Sequence, residues 1–281
     1  MSVSATTNET RSAERLRQHY LVERQLADRL RQAGASERAA LYSAVYDELF
    51  RRVPDHPQLT RKGSPAAQEH AVATRLQLLA RFLDPDSVFM EIGPGDCSLA
   101  LAVARRVRRV YAVDVSAEIT RQQSPPDNFE LIICEGASIP VPAGSVNVAF
   151  SYQLIEHLHP VDAREHVVNV HRALAPGGRY ICVTPNRLNG PHDISRFFDT
   201  DARGFHMKEY TNADLTNLLT EGGFSRVQLL CGARGRLFLV PASPVASLEH
   251  LLGGLPFALR HRIAKAPIVR QILGVTVVAT K

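Results

Sequence analysis

The stretch Val88-Phe89-Met90-Glu91-Ile92-Gly93-Pro94-Gly95-Asp96 decides how this chain is read. An apolar run broken by one acid reads as a buried strand, and the glycines after it free the backbone for a turn that side chains would obstruct. A helix predicted from about Ser98 to Val107 completes a strand–turn–helix unit, with the turn at the carboxyl end of the strand. Such a turn cradles a nucleotide. A phosphate loop competes, but no Gly-Lys-Ser/Thr ending follows, and Pro94 removes a backbone donor that a phosphate would use. The full G-x-G-x-x-G fingerprint also fails, because its third glycine falls on Ser98.

Outward from this unit the pattern repeats. Val110-Tyr111-Ala112-Val113 reads as a second strand ending at Asp114, Leu131 to Cys134 as a third, Val146 to Phe150 as a fourth and Tyr180 to Val183 as a fifth. Helices predicted from Val161 to Leu174 and from Asn212 to Glu221, a strand near Val227 to Leu230 and a last strand Val275 to Ala279 follow, with a long insertion between the last two. Short strands crossed by helices give a doubly wound α/β fold with a mostly parallel sheet. Ahead of it, helical spacing covers Ser12 to Ala33, a second helix starts after Ser36 as N-cap, and Val53 to Pro65 is a linker before a third helix capped by Ser64-Pro65. The division is residues 1–63 as a helical extension suited to act as a lid, 64–240 as the ligand-binding core, and 241–281 as a helical insertion with the last strand.

With 281 residues, 45% hydrophobic and 22% charged, the chain can bury a large core, and its 17 Gly and 17 Pro show no period. Disordered and fibrous classes are excluded. The N-terminus lacks an apolar signal core and no apolar run is long enough to span a bilayer, so a cytoplasmic location is expected. Cys97, Cys134, Cys182 and Cys231 form no C-x-x-C pair, which argues against a zinc knuckle or disulfide framework. The formal charge is +5, yet from Arg226 to Lys281 eight basic residues face one acid, Glu249. Basicity therefore belongs to the C-terminal quarter, where a polyanion or anionic membrane surface would bind.

Four stretches make the chain resemble the class I S-adenosylmethionine-dependent methyltransferases with a single catalytic domain: Glu91-Ile92-Gly93-Pro94-Gly95, Asp114, Cys134 to Val141 and Ser151 to His157, closed by Leu174-Ala175-Pro176-Gly177-Gly178. The resemblance implies a seven-stranded Rossmann-like sheet and S-adenosylmethionine as cofactor, released as S-adenosylhomocysteine, with no metal. It implies that Gly93 and Gly95 cradle the cofactor and Glu91 orients its amino-acid end. It implies further that Asp114 with Val115 meets the ribose, that Glu135 with Gly136 meets the adenine, and that Ser151 borders the site. The sequence departs from the family pattern at Cys97, where relatives carry glycine, at Cys134-Glu135 in place of Gly-Asp, and at Asn147 in place of aspartate.

The residues agree with this chemistry, since a sulfonium methyl donor needs an acceptor held in line rather than a covalent intermediate. His157 and His159 diverge as i and i+2 and no third ligand adjoins them in sequence, so His157 reads as a structural or pocket residue. The acceptor is expected after the fifth strand, in Thr184 to Asp193 and Gly204 to Tyr210, with His192 and His206 as candidate general bases and Asn186, Tyr210 and Tyr46 as substrate contacts. Tyr42 and Tyr46 are placed to close the pocket. The expected partner is a small organic or lipid-like acceptor, the latter drawn from the apolar and basic segment Leu248 to Leu273, which would touch membranes peripherally. Nucleic acid is disfavoured because no RNA-binding module is visible; an RNA-modifying enzyme and a noncatalytic cofactor-binding scaffold are the rival readings.

Overall fold

The hydroxyl of Ser12 accepts the N–H of Arg15 and so starts helix α1 (Ala13–Gln32), as the sequence requires of a preferred cap. The computed structural model describes residues 9, 11–60, 65–115, 125–233 and 236–281. Helix α2 (Ala35–Arg52) begins just before Ser36, with Gly34 in the cap position and no side-chain cap bond, which corrects the predicted start. The predicted linker holds a short helix α3 (Pro57–Thr60), and α4 (Pro65–Leu79) follows; Ser64, its predicted cap, lies outside the described residues.

From there strands and helices alternate: β1 (Val88–Ile92), α5 (Ser98–Ala104), β2 (Arg109–Asp114), β3 (Phe129–Ile133), β4 (Val146–Tyr152), α6 (Pro160–Ala173), β5 (Leu174–Thr184), α7 (Asn212–Glu221) and β6 (Arg226–Ala233). The chain ends with β7 (Arg236–Pro241), α8 (Ser243–Gly253), α9 (Phe257–Lys265), α10 (Pro267–Ile272) and β8 (Val275–Thr280). The sheet order is β3-β2-β1-β4-β5-β8-β6-β7. Strands β3 to β5 pair in parallel, whereas β8, β6 and β7 join antiparallel. There are eight strands among the described residues rather than the expected seven, because the start of the long insertion forms β7, a hairpin partner of β6 at the sheet edge.

Alternation along β1 sorts its side chains to two cores. Val88, Met90 and Ile92 join a cluster with α1, α2, α6 and α7, while Phe89 joins one with α4 and α5. All five residues of β1 are buried, as expected of a central parallel strand covered on both faces. Asn147 lies in β4 rather than in a turn, and its Oδ1 accepts the N–H of Val88 at 2.8 Å, which ties β4 to β1. The N-terminal helices are bound into the main core. Arg38 on α2 makes a two-point ion pair with Asp162 in the first turn of α6, at 2.8 and 2.6 Å, and Tyr42 donates to the same carboxylate at 2.7 Å. Tyr42 is thus a buried clamp for α2 rather than a pocket residue.

Candidate active site

The sheet order reverses between β1 and β4, which opens a crevice at their carboxyl ends. The glycine turn lies there. Gly93 and Gly95 have φ of +67° and +57°, a region side chains disfavour, and a Cβ on Gly93 would come within 3.2 Å of Leu154. A Cβ on Gly95 would meet nothing within 4 Å, so this face of the turn opens onto free space. The N–H of Gly93 donates to Val113 at 2.9 Å and ties the turn to the end of β2.

Cys97 explains the family's glycine at its position. It sits at φ +59°, buried, where the turn enters α5, so a small side chain is tolerated in a conformation that costs about 1–2 kcal/mol without glycine. Gln153, just past β4, has φ +54° and was not singled out by the sequence pattern. Strain of this kind concentrates at binding sites.

Glu91 points to the α4 side of the sheet and is 4% exposed. Burial pushes its carboxyl up to about 8, opposed by the nearby Arg75 of α4, and its Oε2 has no hydrogen-bond partner. Arg75 in turn stacks over the Tyr152 ring at 4.1 Å. Sequence reasoning missed Arg75 and Tyr152, because a lone arginine in a polar helix carries no pattern. Asp114 is half-buried at the tip of β2, and its Oδ1 accepts the N–H of Val115 at 2.7 Å. Glu135 is exposed in the turn after β3, and Gly136 beside it has φ +55° with Ala39 of α2 at 3.3 Å from a would-be Cβ. Helix α2 therefore lies directly over that turn. The hydroxyl of Ser151 is buried against that of Tyr180 at 2.7 Å.

A methyltransferase-domain family model matches residues 90–182, from β1 to β5. Over 188 residues the chain is 29% identical to a protein of Mycolicibacterium smegmatis named "Probable S-adenosylmethionine-dependent methyltransferase", covering 66% of this chain and 68% of that one. The chain carries a methyltransferase domain and is similar to S-adenosylmethionine-dependent methyltransferases. A Mycobacterium tuberculosis relative of the same description is 33% identical over 144 residues, and the match spans 51% of this methyltransferase and 50% of the relative. The fold is shared with a methyltransferase of Archaeoglobus fulgidus (TM-score 0.51, 15% identity, 85% of this chain and 100% of that one). It is also shared with a Haemonchus contortus phosphoethanolamine N-methyltransferase crystallised with S-adenosylhomocysteine (TM-score 0.51, 15% identity, 66% and 40%). Among the described residues of this methyltransferase no helix is long and apolar enough to cross a membrane.

The acceptor side is built by long-range contacts. Past β4, Glu156 is fully buried, with Oε2 accepting from Thr184 at 2.7 Å and Oε1 unpartnered; burial raises its carboxyl. His157 meets the hydroxyl of Tyr46 at 3.1 Å and the carbonyl of Phe205 at 3.2 Å through Nδ1, and burial lowers its imidazole to about 3. His206 packs edge-on against it with centroids 4.9 Å apart. Burial alone would lower the His206 imidazole, but its 2.7 Å bond to Glu209 outweighs this and raises it. The sequence reading that nothing adjoins His157 is corrected by the fold, which brings in both Glu156 and His206.

A cleft of about 290 Å³ opens beside His206, lined by Arg187, Asp201, Lys208, Glu209 and Asp214 among others. Asn186, His192 and Tyr210 are not among the residues that line it, although the N–H of His192 reaches Glu209 of the cleft wall at 2.6 Å. Asn186 is buried, donating to Glu249 at 2.7 Å and to the Leu273 carbonyl at 2.9 Å, so it anchors α8 and the end of α10. Tyr210 is 1% exposed and packs in the main core. His192 has its Nε2 held by the Asn186 carbonyl and by Asn189 Oδ1 at 3.1 and 2.7 Å, which suits a loop brace better than a base.

Proposed function

We propose that the enzyme methylates a small, polar organic acceptor bound in the cleft beside His206, with the cofactor held across the β1–β4 crevice. The observation that carries this is the short segment joining the two: Leu154 lies beside Gly93 of the open glycine turn, and His157, three residues on, packs against His206 of a cleft of about 290 Å³. The buried orphan oxygen of Glu91 fits a ligand ammonium, and Arg75 beside it fits the carboxylate of the same amino-acid group. Asp114 with Val115 would hold the ribose hydroxyls, and Glu135 with Gly136 the adenine. When bound, the cofactor supplies an electrophilic methyl group.

The remaining work belongs to the chain. Tyr46 and Phe205, with ring centroids 4.7 Å apart, wall the site on the α2 side and restrict water. Residues 1–63 thereby act as a partial lid, with the Arg38–Asp162 pair fixing α2 in the closed position. His206, aligned by Glu209, borders the cleft and orients the acceptor; transfer then depends mainly on proximity and in-line geometry.

A lipid-like acceptor is the second reading. It is favoured by exposed Leu251, Leu259 and Ile268 in α8 to α10 beside exposed Arg262 and Lys265. The test is release of S-adenosylhomocysteine when the enzyme receives S-adenosylmethionine and fractionated cell extract. Turnover with the polar small-molecule fraction supports the first reading. Turnover confined to the lipid fraction overturns it in favour of the second.

A further inference from the structure

Glu156 and His157 follow one another in the short turn Ile155–His157 after β4, and the chain returns at His206 to join them. A carboxylate oxygen of Glu156 and one ring nitrogen of each histidine all lie within 4.8 Å of one another. Composition alone is no site, and the molecule holds its own control. His19, Glu23 and His56 form a second buried group of the same kind, yet its atoms are spent. Arg11 donates to Nδ1 of His19 at 2.9 Å, the Nε2 of His19 bonds Glu23 Oε2 at 2.8 Å, and Glu23 Oε1 accepts the N–H of Phe205 at 2.9 Å.

In the Glu156 group the outer atoms are engaged and the inner ones are left. Nδ1 of His157 lies 3.2 Å from the Phe205 carbonyl, Nδ1 of His206 is 2.7 Å from Glu209, and Thr184 donates to Glu156 Oε2 at 2.7 Å. Each ligand-bearing side chain thus has the outer partner that fixes its tautomer or rotamer in metal sites. What remains is Nε2 of both rings and Oε1 of Glu156. That oxygen belongs to a residue with 0% exposure and has no hydrogen-bond partner, so no proton on His206 satisfies it. A buried carboxylate with an unpartnered oxygen, grouped with two imidazole rings, is relieved by a cation bound among them.

We propose that Glu156, His157 and His206 form a binding site for a divalent ion of intermediate softness, of the Zn²⁺ type, through one carboxylate oxygen and two Nε2 atoms. Two histidines and one carboxylate make a three-ligand set that keeps a position open. Because His206 also lines the polar cleft, the open position faces an oxygen of the acceptor; this last point rests on the reading of that cleft as the acceptor site.

The test uses the full chain, dialysed against chelator and saturated with S-adenosylhomocysteine, titrated with Co²⁺ and separately with Zn²⁺. Expected are one equivalent per chain, a visible d–d absorption of low-coordinate Co²⁺, and its displacement by Zn²⁺. His206→Ala and Glu156→Gln should abolish the band, whereas His19→Ala should leave it. Thr184→Val keeps all three ligands and the strand, so it guards against a misfolded variant, and it should weaken Co²⁺ about 10- to 100-fold. Absence of the band in wild type, its persistence in His206→Ala, or its loss in His19→Ala instead would overturn the site. Calorimetry of S-adenosylhomocysteine on the same samples separates that failure from a failure of the cofactor reading, which predicts binding whether or not the ion is present.

Discussion

The two halves of the crevice are built by different means. At the β1–β2–β3 ends the site is local backbone: Gly93, Gly95 and Cys97 lie within five residues and share positive φ, and Asp114 sits at the tip of the adjacent strand. Past β4 and β5 the site is assembled from distant pieces, with Tyr46 from α2, Glu156 and His157 from one turn, and His206 from another. The first half can be altered one contact at a time. The second is a buried network in which one loss leaves other groups unpaired.

The sharpest expected contrast is His206→Ala. Turnover should fall by about 10²-fold or more, since a misplaced acceptor forfeits the proximity on which transfer depends, while cofactor affinity stays near wild type. Equal losses in both would merge the two halves. Next is Arg38→Ala, which leaves Asp162 buried without its ion-pair partner and should cost about 3 kcal/mol of stability in thermal or denaturant unfolding. If α2 is the lid, the variant that still folds at low temperature also binds the cofactor more weakly, because Ala39 no longer seals Gly136.

A smaller effect belongs to Glu91. With its carboxyl pushed up to about 8 by burial, it is neutral in the free protein below that pH, whereas an ammonium ligand favours the ionised form. Affinity for S-adenosylhomocysteine should therefore rise between pH 6 and 8, by at most about tenfold per unit, and then level off. The same raised value means that the folded state holds this proton longer than the unfolded chain. Its stabilising effect is full below the ordinary carboxylate range and is lost as pH rises through about 8. Glu91→Gln should flatten both profiles, and an unchanged binding profile in that variant would remove Glu91 from the cofactor contacts. The smallest effect is association with anionic vesicles through Arg260, Arg262, Lys265 and Arg270, on the order of 1 kcal/mol per well-placed charge. Co-sedimentation at low salt that disappears as ionic strength rises would favour the lipid-like acceptor; none at low salt would leave α8 to α10 as packed structure.

Local features were legible in the sequence for a physical reason. The strand–glycine–helix unit, the acid at the tip of β2 and the helix from Asn212 to Glu221 are set by neighbours in the chain. The extra strand β7 was not read from the sequence, because its short run Arg236 to Pro241 ends in a proline and pairs with β6 only at the edge of the sheet. Asn186 looked like a substrate contact from its place after β5. Its actual partners, Glu249 and Leu273, are supplied by the C-terminal helices, which no spacing rule connects to it. The group of Glu156, His157 and His206 was hidden for the same reason, and Arg75 was hidden because only the fold brings α4 to Glu91.

The central claim is that the β1–β4 crevice holds S-adenosylmethionine through the acid at the tip of β2. It is tested most directly by calorimetry of S-adenosylhomocysteine on wild type and on Asp114→Ala, with folding checked by circular dichroism. The expected result is stoichiometric binding to wild type and a loss of about ten- to hundredfold in the variant, the size of a charge-assisted contact. Unchanged affinity in a folded Asp114→Ala protein would contradict the placement of the cofactor.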